Sequence, residues 1–171
     1  MSEYQWSARF EELFQRCLQR YQSGDQDFTG YYSDDDQNFL DSIGYKPREF
    51  FDFVEDFSDY GDPSPGTALL VAAVRRSYLI EEMGGALSDK ELQPSDLPDR
   101  GDTLAGIAWL PRILAKARGK LRGELHPDIM FGCGGDRNFL KQYDIPASEF
   151  LVAVWKAGDD DDAVVSFVKG E

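Results

Sequence analysis

The chain contains a weak internal repeat at an offset of 100 residues, which limits the folds that it can adopt. Residues 36–54 align without gaps on residues 136–154, and seven of the 19 aligned positions are identical. The identical pairs are Asp36/Asp136, Asn38/Asn138, Phe39/Phe139, Leu40/Leu140, Glu49/Glu149, Phe50/Phe150 and Val54/Val154. Self-similarity at a fixed period is typical of chains built from copies of one structural unit.

The same offset relates two amphipathic stripes upstream of these segments. The first stripe consists of Phe10, Leu13, Phe14, Cys17 and Tyr21, and the second of Leu110, Ile113, Leu114, Ala117 and Leu121. Apolar residues at steps of three and four predict helices with one buried face. No stretch of alternating polarity is long enough to predict a strand.

We therefore predict an all-α fold in which two divergent copies of a roughly four-helix unit pack as a pseudo-twofold pair. The chain of 171 residues would form a single domain, residues 1–171, which is an ordinary domain length. Copy one would cover about residues 6–85 and copy two about residues 106–171. The polar, proline-containing connector between them, about residues 86–105, is expected to have little regular structure.

The charge balance argues against two classes of partner. The chain carries 32 acidic and 18 basic residues, a net charge of −14. Such a surface repels nucleic acids and anionic membranes, so neither partner is expected. The first residues lack the basic and apolar regions of a secretory signal, so we expect a cytoplasmic protein whose two cysteines, Cys17 and Cys133, are reduced.

One basic helix stands out in this acidic chain. Five basic residues and no acidic residue lie between Arg112 and Arg122. Arg112, Lys116 and Lys120 share one helical face, which would suit a phosphate or carboxylate ligand. The alternative is structural: the helix would neutralise the acidic region 25–62, either within the chain or across a homodimer.

The loop that follows contains a glycine-rich run around Cys133. Glycines on both sides permit a close backbone approach, and Asp136 is placed to cap the next helix. A thiol just before a helix N-terminus favours the thiolate form, and Arg137 would add to this effect. His126, the one histidine of the chain, could then act as a base. Structural roles, a small buried thiol and a tight turn, remain open alternatives.

Other patterns predict no metal and no cofactor. The acidic runs 34–36 and 159–162 precede helices and lack the spacing of a calcium-binding loop. There is no phosphate-binding loop, zinc ligand set, nucleophile elbow or dinucleotide fingerprint. In the phenylalanine-rich segment 50–57, helical spacing places Phe50, Phe53 and Phe57 in the core, whereas Phe51 faces elsewhere and is a candidate interface residue.

The second half resembles a bacterial family known only as domain of unknown function 5069, over about residues 97–168. The resemblance is carried by Leu104, Gly106, the run WLPR at 109–112, KAR at 116–118, GCGGDR at 132–137 and FL at 139–140. The first copy lacks the Gly-Cys-Gly-Gly run. The resemblance implies a small bacterial protein and no particular reaction.

Three functional hypotheses follow from these patterns. The first is a non-catalytic, soluble binding or interaction protein with an anion-binding groove in the second copy, lined by Arg112, Lys116, Cys133, Asp136 and Arg137. The second is a small enzyme with Cys133 as nucleophile and His126 as base. The third is an acidic mimic that occupies a basic site on a partner protein. The partner would accordingly be a small anionic ligand or another protein.

Overall fold

The computed structural model describes residues 5–171 of the chain, and their main elements are helices. The α-helices are α1 (Trp6–Gln22), α2 (Asp34–Ser42), α3 (Pro47–Tyr60), α4 (Pro65–Glu81), α5 (Leu110–Arg122), α6 (Gly134–Gln142), α7 (Ala147–Ala157) and α8 (Asp161–Lys169). Short 3₁₀ turns lie at Phe28–Gly30 and Pro94–Asp96. The mostly helical fold confirms the predicted all-α class, and none of the described helices has the length and apolarity needed to cross a bilayer.

The chain divides into two compact units, Met1–Arg76 and Ser77–Glu171, and the boundary falls within α4. In the first unit, α1 packs mainly on α3. Their interface is aromatic: the rings of Phe10 and Phe50 meet edge to face with centroids 5.0 Å apart, and Phe14 packs against both Phe50 and Phe57. Burial of these large apolar surfaces is the main stabilising term for the unit.

Phe51 is a correction to the sequence analysis. Its side chain is buried, not exposed, because the 3₁₀ turn folds over this side of α3. The rings of Phe28 and Phe51 stack with centroids 4.9 Å apart, and Tyr31 and Tyr21 pack on the same ring. Helical spacing places Phe51 off the main stripe, but it cannot show that a loop covers that face.

The second unit contains a small hairpin that the sequence did not predict. Strands β1 (Thr103–Leu104) and β2 (Ile107–Ala108) pair antiparallel around Ala105 and Gly106, which have φ angles of 49° and 80°. Two consecutive positive φ angles are typical of a tight hairpin turn. The region predicted as an irregular connector, 86–105, therefore includes a 3₁₀ turn and β1.

The core of the second unit forms where α5 packs on α7 and α7 packs on α8. Its buried residues include the whole predicted stripe of α5, with Phe150, Leu151, Val154, Val164 and Val165 from the later helices. Gly119 lies in the middle of α5, and a Cβ there would come within 2.7 Å of Leu125 Cδ2. The glycine therefore lets the following loop pack directly against the helix.

Helix α6 begins three residues earlier than the predicted cap implies. Cys133 occupies the N-cap position, and Asp136 is the third residue of the helix. Asp136 is thus not the capping residue. Its carboxylate accepts a hydrogen bond from the Gly132 N–H at 3.0 Å, so it closes the loop that precedes the helix.

Candidate functional site

The centre of the candidate site is the carboxylate of Asp136, which is fully buried. Lys116 Nζ lies 3.1 Å from its Oδ2, and the side chain of Lys116 is itself only 5 % exposed. The Trp109 indole N–H donates to Oδ1 at 2.9 Å, and the Gly132 N–H donates to Oδ2. A buried ion pair is tolerated when further hydrogen bonds satisfy its lone pairs, as they do here.

Trp109 connects α5 to the start of α6. It precedes α5 with a φ of 70°, a left-handed conformation that is costly for a residue with a large side chain. Its ring lies against Gly135, where a Cβ would approach Cη2 to 2.6 Å. The indole hydrogen bond to Asp136 and this close approach hold the ring between the two helices.

Cys133 lies at the N-terminal end of α6 and is partly exposed. Lys116 Nζ donates to its Sγ at 3.2 Å. The Cys133 side chain makes no capping hydrogen bond to the helix. Because the first N–H groups of a helix have no intrahelical acceptor, the first turn of α6 presents N–H groups without a side-chain cap.

Helix α2 of the first unit has a capped N-terminus. Ser33 caps α2 by accepting a hydrogen bond from the Asp36 N–H, and the Asp36 carboxylate accepts from the Ser33 N–H in return. Asp36 is buried and paired with Arg9 at 2.7 Å and Arg16 at 2.5 Å. Burial acts to raise the pKa of Asp36, but the hydrogen bonds from Arg16 and Ser33 outweigh it and leave the pKa below its usual range.

Arg112, at the start of α5, lacks a carboxylate partner within the described residues. Its guanidinium donates to the Pro98 carbonyl at 2.7 Å and lies 5.9 Å from the centroid of the Trp109 ring. The Lys116 ammonium lies 5.8 Å from the same centroid. Trp109 is therefore the shared neighbour of Arg112, Lys116 and Gly135.

Two other bases of α5 pair with acidic residues of the second unit. Arg118 pairs with Asp161 at 2.7 Å, and Arg122 lies 4.0 Å from Asp159. Lys120 is 2 % exposed. The partners found for Lys116, Arg118 and Arg122 thus come from their own unit and not from the acidic region 25–62.

Arg137 and His126 were the two other residues predicted near Cys133. Arg137 Nη1 donates to the Gly132 carbonyl at 2.9 Å, so this guanidinium lies beside the loop that carries Cys133. His126 Nδ1 accepts from the Asp128 N–H at 3.1 Å and lies 3.7 Å from the Asp128 carboxylate. Within residues 5–171 the hydrogen-bond partner of Cys133 Sγ is Lys116 and not His126.

The second thiol of the chain has a different environment. Cys17 is buried in α1, and its pKa is raised to about 11, chiefly by burial. It therefore remains protonated near neutral pH and behaves as a small apolar core residue. The two thiols differ in exposure because Cys17 lies on the buried face of α1, whereas Cys133 lies at the N-terminal end of α6.

The sequence pattern identified Arg112, Lys116, Cys133, Asp136 and Arg137 but did not identify Trp109 as the residue that joins them. The sequence did align Trp109 with Arg9 at the offset of 100 residues. The structure shows that Arg9 contacts Asp36 and that Trp109 contacts Asp136. Among the described residues, no cluster of three or more His, Cys, Asp or Glu side chains could hold a metal ion.

No protein-family model, curated protein or solved structure matches this chain.

Proposed function

We propose that the protein is a non-catalytic binding protein that recognises a small oxyanion, a phosphate or carboxylate group, at the N-terminal end of α6. The observation that carries the proposal is the uncapped first turn of α6, which starts at Gly134 beside Cys133. Helix N-termini bind anions through free N–H groups and the positive end of the helix dipole. Arg112 would supply the charge, because it has no carboxylate partner within the described residues.

A second observation supports this location. We propose that the two units are divergent copies, since α2 and α6 have bounds 100 residues apart and so do the starts of α3 and α7. In the same register Arg9 corresponds to Trp109, Arg16 to Lys116 and Ser33 to Cys133. Copy one retains a capped helix and two arginines on its aspartate. Copy two has lost the cap and one of those cations, which leaves the end of α6 available to an external anion.

The enzyme hypothesis receives less support from the geometry. His126 is engaged with Asp128, and the thiol of Cys133 contacts an ammonium group that is already paired with Asp136. A general base must lie within hydrogen-bond reach of the proton that it removes. We therefore assign Cys133 to the wall of the binding site in this proposal.

The first test is a thermal-shift titration with inorganic phosphate, then with phosphorylated and carboxylated metabolites, against chloride at the same ionic strength. A ligand at 100 times its Kd stabilises the native state by about 2.7 kcal/mol, which raises the Tm measurably. Wild-type protein should respond, and the phosphate and carboxylate series will show which group is preferred. A flat response of the wild-type protein would contradict the proposal.

Two variants locate the site. Gly134→Pro removes one N–H donor at a helical position where proline is well tolerated, and the ψ of 171° at Cys133 suits a residue before proline. Arg112→Ala removes the proposed cation. Both should reduce the shift, whereas Arg122→Ala, an arginine at the other end of α5, should leave it unchanged. A shift that survives both Gly134→Pro and Arg112→Ala would place the anion elsewhere.

A further inference from the structure

The contact between Lys116 and Cys133 carries an inference that is independent of the proposed ligand. We propose that these two residues form a redox-modification site: peroxide oxidises Cys133, and the Lys116 nitrogen then condenses with the oxidised sulfur to form a reversible Lys–Cys cross-link. Nothing else in the site requires an ammonium group to face a thiol, since the Asp136 carboxylate already satisfies the charge of Lys116.

The geometry brings the two reacting atoms together. Lys116 Nζ lies 3.2 Å from Cys133 Sγ, and the lysine side chain is only 5 % exposed. Asp136 accepts from the same nitrogen through both carboxylate oxygens, at 3.2 and 3.1 Å. The two hydrogen bonds to Asp136 fix the position of the buried ammonium group, so its third N–H stays directed at the sulfur.

The position of Cys133 also suits a reaction with peroxide. Its sulfur lies 3.2 Å from Lys116 Nζ at the N-terminal end of α6. Cys133 is partly exposed, so a small oxidant can reach Sγ, whereas Cys17 is 1 % exposed. One chain thus contains a candidate reactive thiol and an inert thiol as its internal reference.

The chemistry has two steps. In the first, the thiolate sulfur attacks one peroxide oxygen, the O–O bond breaks and hydroxide leaves; sulfur loses an electron pair to peroxide and becomes a sulfenic acid. In the second, the Lys116 ammonium first passes one proton to the Asp136 carboxylate, and the lone pair of the resulting amine then forms a bond to sulfur while the S–O bond breaks. The departing hydroxide takes a second proton from the nitrogen and leaves as water.

The product is a sulfenamide between Cys133 and Lys116, formed without further oxidant. Sulfenic acids condense with a backbone nitrogen to form the same kind of S–N bond, and thiol reductants reverse the reaction. The cross-link would join α5 to the N-terminal end of α6 and would remove the positive charge of Lys116. Asp136 is a positioning residue here, since it orients the lysine and accepts a proton without touching the sulfur.

The experiment treats the folded, reduced protein with a small excess of hydrogen peroxide and maps the products by peptide mass spectrometry. The expected product is a linked pair of peptides containing Lys116 and Cys133, about 2 Da lighter than their sum and separated again by dithiothreitol. Unlinked Cys133 as sulfinic or sulfonic acid, with no linked pair, would overturn the proposal.

The wild-type protein also provides a test that needs no variant. Iodoacetamide should modify Cys133 at least about 10-fold faster than Cys17 in the native protein, since thiolate character and exposure control the rate. Equal rates would remove the basis of the first step. The ratio should collapse in denaturant, where both cysteines are exposed.

Lys116→Arg separates the two steps of the reaction. It keeps a cation beside Asp136, as Arg16 does beside Asp36, but a guanidinium does not condense with a sulfenic acid. This variant should still form a sulfenic acid that dimedone traps, and should lose the linked product entirely. Lys141→Arg, an exposed lysine on α6, is the matched control and should retain the link; a linked product in Lys116→Arg would show that another amine is the partner.

Discussion

The ring of Trp109 lies against Gly135 so closely that no other residue fits at that position without displacing it. A Cβ on Gly135 would lie 2.6 Å from Cη2 of the ring. We expect Gly135→Ala to lower the free energy of unfolding by about 1–3 kcal/mol, because overpacking forces side chains and backbone to shift. Urea denaturation measures the change. Gly134→Ala is the control, since its Cβ would meet only Arg137 Nη2 at 3.8 Å.

The ion pair of Lys116 and Asp136 should behave as a buried pair. Asp136→Ala leaves the ammonium of Lys116 buried without a carboxylate, and we expect a loss of about 3–5 kcal/mol in the free energy of unfolding. The double variant with Lys116→Met should recover much of that loss, because a buried pair can be replaced by apolar groups at little cost.

The matched control for this experiment is Asp161→Ala. It breaks the more exposed pair with Arg118, and pairs of this kind contribute under about 1 kcal/mol. If Asp136→Ala and Asp161→Ala proved equally mild, the pair at Asp136 would not be buried as described.

Because of Asp36, we expect the free energy of unfolding to fall at acidic pH. Its pKa in the folded state is lowered because the hydrogen bonds from Arg16 and Ser33 together outweigh the opposing effect of burial. A folded pKa below the unfolded value, about 3.9, gives stability that is present above pH 4 and is lost as the pH falls through the folded pKa. Asp36→Asn should lower stability at neutral pH and flatten the profile below about pH 4.

Chemical denaturation from pH 2 to pH 7 measures this effect. Asp34→Asn is the control: Asp34 is an exposed residue in the first turn of the same helix, and its substitution should leave the slope of the acid limb unchanged. A profile of Asp36→Asn that runs parallel to the wild type would contradict the assignment.

Gly44 combines a special backbone conformation with a crowded position. Its φ is 76°, and a Cβ would lie 2.5 Å from Cζ of the buried Arg75, whose Nε donates to the Gly44 carbonyl at 3.0 Å. Gly61 has a similar φ of 72° with open space around it. We expect Gly61→Ala to cost about 1 kcal/mol from the backbone alone, and Gly44→Ala to cost about 1–3 kcal/mol more. Equal losses would show that Arg75 yields freely.

Much of the helical framework could be read from local pattern. The stripe from Leu110 to Leu121 lies on the buried face of α5, and Gly84 and Gly85 follow the end of α4 as expected of helix stop signals. These features depend on neighbours three or four residues apart, so periodicity alone contains the information. The hairpin at 103–108 was not predicted, because strands of two residues are too short to show an alternating pattern.

The candidate site depended on contacts that periodicity does not encode. The sequence indicated Lys116 and Cys133 as separate features, one on a basic face and one in a glycine-rich loop. In the structure the two side chains are in contact, with Lys116 Nζ 3.2 Å from Cys133 Sγ, so the neighbour of the thiol is Lys116 and not His126. This contact forms because Asp136, on the first turn of α6, binds both Lys116 and Trp109.

Hydrophobic spacing and glycine positions are sufficient to predict the helices, their buried faces and the candidate groups, because both act within one or two turns of chain. Which of those groups come into contact depends on how the helices pack. The charge of Lys116 is committed to Asp136, that of Arg112 has no carboxylate partner in the described chain, and Cys17 and Cys133 differ in exposure. Such outcomes depend on pairing and burial between residues far apart in sequence, which local propensity does not specify.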